Sequence, residues 1–573
     1  MDIQFGKSNA AAAPVWGWAI ASIWVFFASA LLVLSRVAMV DLPPIYDELY
    51  HLLPARSWIE SRSLAILDGI YPRTPEFTKL IGWLFLLTGR EDLAVARVAS
   101  IVPGVLLVLL LVAWLRLRLG TLPAVILFGL MLLWPLGIEV SQYTRFYALH
   151  GLLFAVGTIA LIEATRPDLL VRLRGLALAV SGLAFLAAMS LQMTTAIGGL
   201  GLAIFVSIAV LSEPRLRLAY FGIVAAVFLG ASLAIVFGPY WIAETVQHYL
   251  FIYTWSLSDN PLGFLYYNDY FLDNYAALWP LTPITAAIAI AVSPRIGLAC
   301  ALLVATGFIL HSFGGLRHGR YVYYLIPFLF ILWSIAIAWL VDAARLHMAS
   351  VINAIAARLD QSLAWNFRIA RVTVVGCLVV AGLFFAAGNM AFKRGVSAAL
   401  GVDTKFLLGQ EREHWDAAPD LAQPWLEQNA VVVTMFELYA IYELGDFDYS
   451  FGPLRLRELA LSRPELAVEF GEDPRTGRPM IGTLESVFAV AECYPTGVFL
   501  APAGWAKPSN PTAQALLNGF EARSLAVTTL RAGNLVVHAW EKDLAESSTD
   551  DPCARLPSMD RRTAGWRLTS DNI

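Results

Sequence analysis

Charged residues are scarce in this sequence. Asp, Glu, Lys and Arg make up 15% of its 573 residues and hydrophobic residues 58%, whereas an ordinary soluble protein is about a quarter charged. The shortage is concentrated in residues 1–390, where about 11% of the residues carry a charge. This composition excludes a soluble globular enzyme over that part, and the high hydrophobicity excludes disorder. The net charge of −4, without a long basic stretch, argues against nucleic-acid binding.

Cysteine is also rare. The four cysteines form no CxxC pair, and the sequence contains neither an HExxH motif nor a glycine-rich phosphate loop. Cys300 and Cys377 fall in apolar segments, where a buried thiol behaves as a small hydrophobic group. Cys493 and Cys553 lie in the C-terminal part and could pair in an oxidising compartment.

Long apolar stretches are abundant instead. A helix needs about 20 predominantly apolar residues to cross a bilayer, and about eleven stretches satisfy this. They start near residues 15, 98, 121, 146, 176, 196, 218, 276, 297, 322 and 372. The first, from Val15 to about Leu34, is too long for the core of a signal peptide, so we expect a retained span. The sequence therefore predicts an α-helical polytopic membrane protein.

The distribution of Lys and Arg in the short loops predicts the orientation. With a cytoplasmic N-terminus, the inner loops and the N-terminal segment carry 13 basic residues and the outer loops after the first carry three, namely Arg145, Arg317 and Arg320. Cytoplasmic loops are enriched in basic residues. We therefore expect a cytoplasmic (inner) membrane protein whose C-terminal domain is periplasmic or otherwise extracytoplasmic. The first outer loop, residues 37–97, holds more basic residues than the rule favours, which suggests either an anion-binding role or the exemption of long loops.

The chain divides into two predicted domains, a membrane module of residues 1–390 and a soluble domain of residues 391–573. The second carries a net charge of −8. Its segments alternate between strand-like and helix-like patterns, which favours a layered α/β domain. The strand-like segments are Val431–Met435, Gly497–Leu500 and Leu535–Trp540, and the helix-like ones are Phe436–Leu444, Thr483–Val490 and Thr512–Gly519. The last 30 residues are expected to be frayed.

The first outer loop contains the strongest candidate for chemistry. After Pro43 and Pro44 it reads Asp47-Glu48-Leu-Tyr50-His51. Apolar residues recur at helical spacing from Ile45 to Ile59, and we expect this helix to lie along the membrane surface. Acids in a first helical turn also favour the helix dipole, which is the purely structural explanation. A carboxylate pair beside arginines can instead supply a general base and a group that positions it. His51 is expected to be a hydrogen-bonding neighbour rather than a metal ligand.

Three further outer segments carry arginines at the ends of spans. They read Tyr71-Pro-Arg73-Thr-Pro75, Gln142-Tyr-Thr-Arg145-Phe-Tyr147 and Arg317-His-Gly-Arg320-Tyr321. Arginine near hydrocarbon is costly and indicates function by default, although a long side chain can also snorkel to headgroups. Guanidinium groups match phosphate oxygens with two hydrogen bonds. The outer loop of residues 238–276 has no Lys or Arg and many rings, which indicates an interfacial belt or the wall of a sugar or isoprenoid site.

These residues, in this order, resemble the GT-C class of membrane glycosyltransferases, in the branch that includes protein O-mannosyltransferases and the lipid A aminoarabinose transferase. The Asp-Glu pair with a following Tyr or His is matched by Asp47, Glu48, Tyr50 and His51. The family's Gln-x-x-Arg-x-Tyr-Ala is matched from Gln142 to Ala148, and its late Arg-Tyr by Arg320 and Tyr321. The Lys- or His-Pro-Pro-Leu element is only partly matched around Arg73, because its double proline is absent.

The resemblance implies transfer of a sugar from a polyprenyl-phosphate-linked donor to a hydroxyl on a lipid, glycan or protein, at the outer membrane face and with inversion. It implies Asp47 as base with Glu48 beside it. Arg73, Arg145 and Arg320 would bind the donor phosphate, and the expected substrate contacts are Tyr50, His51, Gln142, Tyr147 and Tyr321. No cofactor is expected; a divalent metal on Asp47 and Glu48 is possible but not favoured.

Two alternatives remain open at this stage. A polyprenyl-linked oligosaccharide polymerase or ligase uses a similar donor but usually places its catalytic loop late in the chain. A lipid or solute transporter would favour inverted repeats and polar groups in the middle of spans, whereas here the polar motifs lie at span ends. The sugar and the acceptor are not indicated by the sequence.

Overall fold

The computed structural model describes residues 15–71, 73–212, 265–313, 317–356, 388–402, 415–456, 469–505 and 510–542, together with Cys553 and Leu556. The chain forms two compact units. The first comprises Met1–Val40 and Arg97–Gly409, and the second comprises Asp41–Ala96 and Gln410–Ile573. The first outer loop, predicted as part of the membrane module, thus belongs to the same compact unit as the C-terminal residues.

The described helices are labelled in chain order. They are α1 (Val15–Val37), α2 (Tyr46–Ser61), α3 (Pro75–Thr88), α4 (Leu93–Leu119), α5 (Thr121–Leu132), α6 (Pro135–Ser141), α7 (Tyr147–Ala164), α8 (Val171–Leu191), α9 (Thr195–Leu211), α10 (Tyr266–Tyr275), α11 (Thr282–Val292), α12 (Pro294–Ser312), α13 (Ile326–Ala356), α14 (Met390–Ala399), α15 (Ala418–Leu426), α16 (Glu437–Leu444), α17 (Leu484–Cys493) and α18 (Pro511–Glu521). A 3₁₀ turn, Gly319–Val322, precedes α13.

The strands follow the same convention. They are β1 (Ala65–Ile66), β2 (Gly69–Ile70), β3 (Val431–Thr434), β4 (Tyr449–Phe451), β5 (Phe470–Glu472), β6 (Pro479–Ile481), β7 (Thr496–Pro502), β8 (Ala526–Ala532) and β9 (Leu535–Glu541).

The first unit is built from apolar helices. Among the described residues, five helical segments are long and apolar enough to cross a membrane: Leu93–Leu119, Tyr147–Ala164, Val171–Leu191, Pro294–Ser312 and Ile326–His347. Nine of the eleven predicted spans start close to a described helix. The two predicted near residues 218 and 372 lie outside the described residues, as do residues 238–264 of the ring-rich loop and most of the last 30 residues. The prediction of a multi-pass, helical membrane protein is confirmed, without a test of the count of eleven.

A break between α5 and α6 positions the Gln142–Tyr147 segment. The two helices are bent by 64°. Pro135 is the first residue of α6, and the preceding Trp134 is extended, with φ −74° and ψ 105°. A residue before proline is disfavoured in the α conformation, so Pro135 ends one helix and starts another. Helix α6 then ends at Ser141, and the following turn carries Gln142 to Phe146 before α7 begins.

The second unit contains a seven-stranded sheet in the order β5-β6-β4-β3-β7-β9-β8. Strands β6, β4, β3 and β7 are parallel neighbours, whereas β5, β9 and β8 pair antiparallel. Helix α17 packs beside α18 over one face. Their core includes Phe488, Phe520 and Trp540. The predicted α/β domain is confirmed, and each strand and helix proposed from the sequence has a counterpart.

The Asp41–Ala96 segment belongs to this second unit through specific contacts. Helix α2 packs against α16, where the Tyr439 hydroxyl donates to the Pro44 carbonyl oxygen at 3.0 Å. The hairpin β1–β2 lies on the loop after β5, since the amides of Asp68 and Ile70 donate to the carbonyls of Thr476 and Pro474, both at 3.1 Å. The predicted helix at Ile45–Ile59 is therefore confirmed as α2.

A disulfide links Cys493 at the end of α17 to Cys553. Their Cα atoms are 4.8 Å apart, and the two residues are separated by 60 positions in the sequence. The bond ties the C-terminal segment to the α17 side of the sheet, and it realises the pairing that the sequence left open.

Candidate functional site

The predicted site residues are divided equally between the two compact units. Five lie in the second unit: Asp47, Glu48, Tyr50, His51 and Arg73. The other five lie in the first unit: Gln142, Arg145, Tyr147, Arg320 and Tyr321.

The adjacent carboxylates at the start of α2, Asp47 and Glu48, differ in burial and in hydrogen bonding. Ile45 is the extended residue before the helix, and Glu48 Oε2 accepts a hydrogen bond from its amide at 2.8 Å. Glu48 is fully buried, so its carboxylate caps the helix start. Asp47 is only partly buried. The geometry thus gives Glu48 a role in fixing α2 and leaves Asp47 as the carboxylate with access to solvent.

Tyr50 and His51 are held by neighbours from the same unit. The Tyr50 ring stacks on that of Tyr71, with centroids 4.3 Å apart. His51 is fully buried, and its Nδ1 is 2.8 Å from the Thr78 hydroxyl on α3. These contacts fix both side chains beside Asp47. Arg73, by contrast, is exposed just before α3.

Four ionic groups near α2 were not singled out from the sequence. They form what we call the acid–arginine cluster, which consists of Glu437, Arg455, Asp473 and Arg475. Arg455 contacts both acids, at 3.2 Å to Glu437 Oε1 and 2.7 Å to Asp473 Oδ1. Arg475 also pairs with both, with Nη2 3.2 Å from Asp473 Oδ2. The acids are nearly enclosed, with side chains 7% and 1% exposed, and each arginine bridges them.

Helix α2 touches this cluster through its tyrosines. The Arg475 guanidinium carbon lies 4.9 Å from the centre of the Tyr50 ring. The Tyr46 ring contacts those of Tyr439 and Tyr50, and its phenol interacts electrostatically with Glu437 and Arg475. Burial, followed by the Glu437 charge, raises the pKa of Tyr46 well above its ordinary value, so the phenol stays protonated. The N-terminal turn of α2 is thereby joined to the loop after β5.

Burial also governs the ionisation of the cluster. It raises the pKa of Glu437 to about 7, with the neighbouring Asp473 carboxylate as the second cause. Burial raises the pKa of Asp473 and lowers that of Arg475, which nevertheless remains charged at neutral pH. The two acids and two arginines of the cluster are therefore poorly hydrated, and Glu437 takes up a proton near neutral pH.

In the first unit, Gln142 holds the end of α1. It is fully buried, its Oε1 accepts from the Met39 amide, and its Nε2 donates to the Ser35 carbonyl at 3.3 Å. Arg97, also fully buried, donates to the carbonyls of Met39 and Val40 at 3.2 and 2.6 Å. The two side chains together fix the chain where it leaves α1.

Arg145 and Arg320 each lie against aromatic rings, and the Phe146 and Tyr147 rings that they contact have centroids 4.7 Å apart. Arg145 is 4% exposed, and its guanidinium lies 5.4 Å from the Phe146 ring. Arg320 Nη1 donates to the Tyr143 hydroxyl at 3.4 Å. Its guanidinium lies 6.0 Å from the Tyr147 ring and 5.5 Å from the Tyr321 ring. The turn after α6 and the 3₁₀ turn before α13 thus each place an arginine against aromatic rings.

Sequence reasoning missed the acid–arginine cluster because its members are far apart in the chain. A local signal was present, since Asp473-Pro-Arg475-Thr-Gly-Arg478-Pro concentrates two arginines in an acidic domain. Arg478 pairs with Asp446 and with Asp68 of the hairpin. Among the described residues, no three His, Cys, Asp or Glu side chains group closely enough to hold a metal ion.

No protein-family model matches the chain, and no curated protein matches it in sequence. Solved structures are similar. The apo structure of ArnT from Cupriavidus metallidurans has a TM-score of 0.58 and 16% identity, and the match covers 91% of this chain and 98% of that one. The same protein bound to undecaprenyl phosphate gives a TM-score of 0.51 with 16% identity, over 92% and 98% of the two chains.

A second similar protein is the archaeal oligosaccharyltransferase AglB from Archaeoglobus fulgidus, in complex with an inhibitory peptide and a dolichol-phosphate. Its TM-score is 0.50 at 11% identity, and the match covers 93% of this chain and 75% of that one. Both proteins are GT-C superfamily members. Together with the apolar helices and the C-terminal sheet domain, these likenesses show that the chain has the fold of the GT-C membrane glycosyltransferases.

Proposed function

We propose that the protein is a membrane glycosyltransferase that moves a sugar from a polyprenyl-phosphate-linked donor to a hydroxyl acceptor. The fold supports this proposal, since one similar structure is bound to undecaprenyl phosphate and another to a dolichol-phosphate. The acceptor hydroxyl is carried by a lipid, a glycan or a protein. The reaction takes place at the extracytoplasmic face of the cytoplasmic membrane, in keeping with the loop charges and the Cys493–Cys553 disulfide.

The observation that carries the proposal is that Arg145 and Arg320 each lie against aromatic rings, Phe146 and Tyr147, which contact one another. A guanidinium fork binds two phosphate oxygens at once. Rings around it exclude water, which strengthens charge-assisted hydrogen bonds. We assign the donor phosphate to these two arginines. The exposed Arg73 is a weaker candidate for the same role, and Tyr147 and Tyr321 are assigned to the walls of the donor site.

The reaction is a single displacement. The acceptor oxygen forms a bond to the anomeric carbon as the bond from that carbon to the donor phosphate oxygen breaks. The phosphate leaves with the bonding electrons, and arginine stabilises its developing charge. The acceptor proton passes to a carboxylate, which we assign to Asp47. Glu48 fixes the helix start, while Tyr50 and His51 border the acceptor side. A single displacement inverts the anomeric carbon.

The first experiment identifies the acceptor and tests the base. Mass spectrometry of envelope lipids and glycans, with and without the gene, reveals the modified molecule. Transfer is then measured with purified protein in lipid nanodiscs. Asp47→Asn should lower turnover by about 10²–10⁴-fold, because general-base help of this kind is lost, while donor binding stays largely intact. Near-normal turnover of Asp47→Asn would remove Asp47 as the base.

The second experiment tests the arginines. Arg145→Lys and Arg320→Lys should each weaken polyprenyl-phosphate binding by about 10- to 150-fold, since charge-assisted hydrogen bonds contribute roughly 1.5–3 kcal/mol and lysine offers no fork. Arg166→Lys is the matched control, because Arg166 lies on a loop between α7 and α8 and pairs with Glu163 and Asp168. Full binding and transfer in both Lys variants would mean that the arginines only snorkel to headgroups.

A further inference from the structure

Arg475 lies at the junction between the acid–arginine cluster and helix α2. Its side chain is 18% exposed. It reaches Glu437 and Asp473 on one side and the Tyr50 ring on the other. Its backbone is fixed too, because its amide donates to Asp473 Oδ1 at 2.9 Å and the hairpin packs against it. Arg475 therefore cannot move freely away from α2.

Asp47 occupies the same turn of α2 as the two tyrosines that interact with Arg475. It precedes Tyr50 by three residues, a spacing that places these two side chains on one helix face. Burial lowers the pKa of Arg475, and this effect is opposed first by Tyr46 and, less strongly, by the Asp47 carboxylate, which favours the charged form of Arg475. An electrostatic attraction between two groups is mutual, so the Arg475 cation equally favours the ionised carboxylate of Asp47.

The net charge of the acid–arginine cluster depends on the protonation of its two acids. Glu437 and Asp473 together carry two negative charges when both are ionised, which the two arginines of the cluster match. Burial raises the pKa of Glu437 to about 7, so near neutral pH a fraction of the clusters holds one proton and has a net positive charge. That positive charge faces α2, where Asp47 is the partly exposed carboxylate.

We propose that Arg475 is a positioning residue for Asp47, which it keeps oriented and ionised from the loop after β5. The inference rests on the proposed function, in which Asp47 receives the acceptor proton. It gives the C-terminal domain a task in the reaction that neither the fold nor the motifs assign.

Several other titratable or charged groups face this region. Those on α2 itself are Tyr46, Glu48, Tyr50 and His51, and those from the elements packed against it are Tyr71, Glu437, Tyr439, Arg455, Asp473 and Arg475. Arg455 is the informative comparison. It pairs with the same two acids as Arg475, whereas its described contacts do not include the Tyr50 ring. A variant at Arg455 disturbs the cluster without removing the cation that borders α2.

The matched control is Arg523. Its guanidinium contacts two carboxylates, Glu492 at 2.9 Å and Glu485 at 3.0 Å, and lies 4.0 Å from the Phe488 ring. Arg523 thus contacts two carboxylates and a ring as Arg475 does, in the same compact unit, but its carboxylates are exposed and its described contacts are with α17 and α18 rather than α2.

The first test is the pH dependence of transfer. Arg475→Met should move the acidic limb of the kcat profile to higher pH, because the positive charge of Arg475 no longer opposes protonation of Asp47. Arg475→Lys keeps a charge, so its limb should stay near that of the wild type while kcat falls. Arg523→Met should leave the limb unchanged. An acidic limb that is the same in Arg475→Met and the wild type would overturn the proposal.

The second test does not depend on turnover. In a Cys377→Ser background, Asp47→Cys places a reactive thiol at the position of the carboxylate; Cys300 is buried and the other two cysteines are paired. The rate of alkylation by a small reagent, measured against pH, reports the thiolate. Adding Arg475→Met should shift this curve to higher pH, whereas adding Arg523→Met or Arg455→Met should shift it less.

The two tests separate the inference from the proposed function. A shifted thiol curve with an Asp47→Asn variant that still turns over would keep Arg475 as the partner of Asp47 and remove Asp47 as the base. An inactive Asp47→Asn variant with identical thiol curves in the presence and absence of Arg475 would keep the base and overturn the role of Arg475. Misfolding of Arg475→Met is detected by comparing its thermal midpoint with that of Arg523→Met, and Arg475→Lys then carries the kinetic comparison.

Discussion

Gly69, in the β1–β2 hairpin, offers a direct way to displace the loop that carries Arg475. A Cβ atom at Gly69 would lie 2.3 Å from the Arg475 carbonyl carbon and 2.3 Å from the Thr476 nitrogen. Both are backbone atoms, so neither can move aside as the tip of a flexible side chain would. Ordinary contact begins at about 3.4 Å, so Gly69→Ala must either strain the junction or open it by about 1 Å.

The cost can be worked out along two routes. If the junction stays closed, overpacking costs about 1–3 kcal/mol. If it opens by 1 Å, the bonds from Asp68 and Ile70, now 3.1 Å long, are broken, and two hydrogen bonds at about 0.5–1.5 kcal/mol each give the same range. We therefore expect the hairpin to open more easily by about 1–3 kcal/mol, which corresponds to about 5- to 150-fold faster amide exchange.

Hydrogen-exchange mass spectrometry on the full-length protein measures this at the amides of Asp68 and Ile70. Gly504→Ala is the matched control, since Gly504 belongs to the same unit and has no atom within 4 Å of the place that a new methyl group would occupy. Equal exchange in the two variants would refute the close approach of the hairpin to residues 474–476. A slower sugar transfer in Gly69→Ala, but not in Gly504→Ala, would follow from displacement of Arg475.

Three further outcomes are expected. Because burial raises the folded-state pKa of Glu437 to about 7 from 4.5, the folded state binds the Glu437 proton more tightly than the unfolded state does. The second unit should therefore lose up to about 3 kcal/mol of stability as pH rises from 5 to 8. Thermal unfolding should show a smaller loss in Glu437→Gln, and equal losses would contradict this ionisation. Reduction of the Cys493–Cys553 disulfide, which closes a loop of 60 residues, should destabilise the same unit by about 4 kcal/mol; an unchanged midpoint in Cys493→Ser would show that the bond adds nothing. In spheroplasts of a Cys377→Ser strain, an impermeant maleimide should label Glu472→Cys, whereas it should label Leu170→Cys only after lysis; the reverse pattern would invert the proposed topology.

The fold was largely predictable because it follows from patterns that are local in sequence. Runs of apolar residues specified the membrane helices, and the helix from Ile45 to Ile59 appears as Tyr46–Ser61. Short apolar runs specified β3, β7 and β9. Strands β4, β5 and β6 were missed because each has three residues, too few to show an alternating pattern. Strand β8 was missed because its sequence, AVTTLRA, is mostly polar or small and only partly buried.

The candidate site was predictable only where a motif is contiguous. Asp47, Glu48, Arg145 and Arg320 were singled out from short segments, and their roles in transfer stay predictions. The difference between the two carboxylates was not predictable, because it depends on Glu48 folding back to the Ile45 amide. Arg475 was not predictable either, since nothing local to residue 475 indicates that it lies against Tyr50.

The contact between Tyr439 and Pro44 joins residues 395 positions apart in the sequence, so it forms long after Pro44 has been synthesised. A ribosome adds about 5–20 residues per second, so about 20–80 seconds pass between the synthesis of the two partners. During that interval the N-terminal turn of α2 exists without the tyrosine, the acids and the arginines that hold it. A nascent chain that stops before Glu437 contains every described membrane helix yet lacks all of these contacts. A nonsense mutation late in the gene would therefore act on the first loop of the protein, the loop that is made earliest.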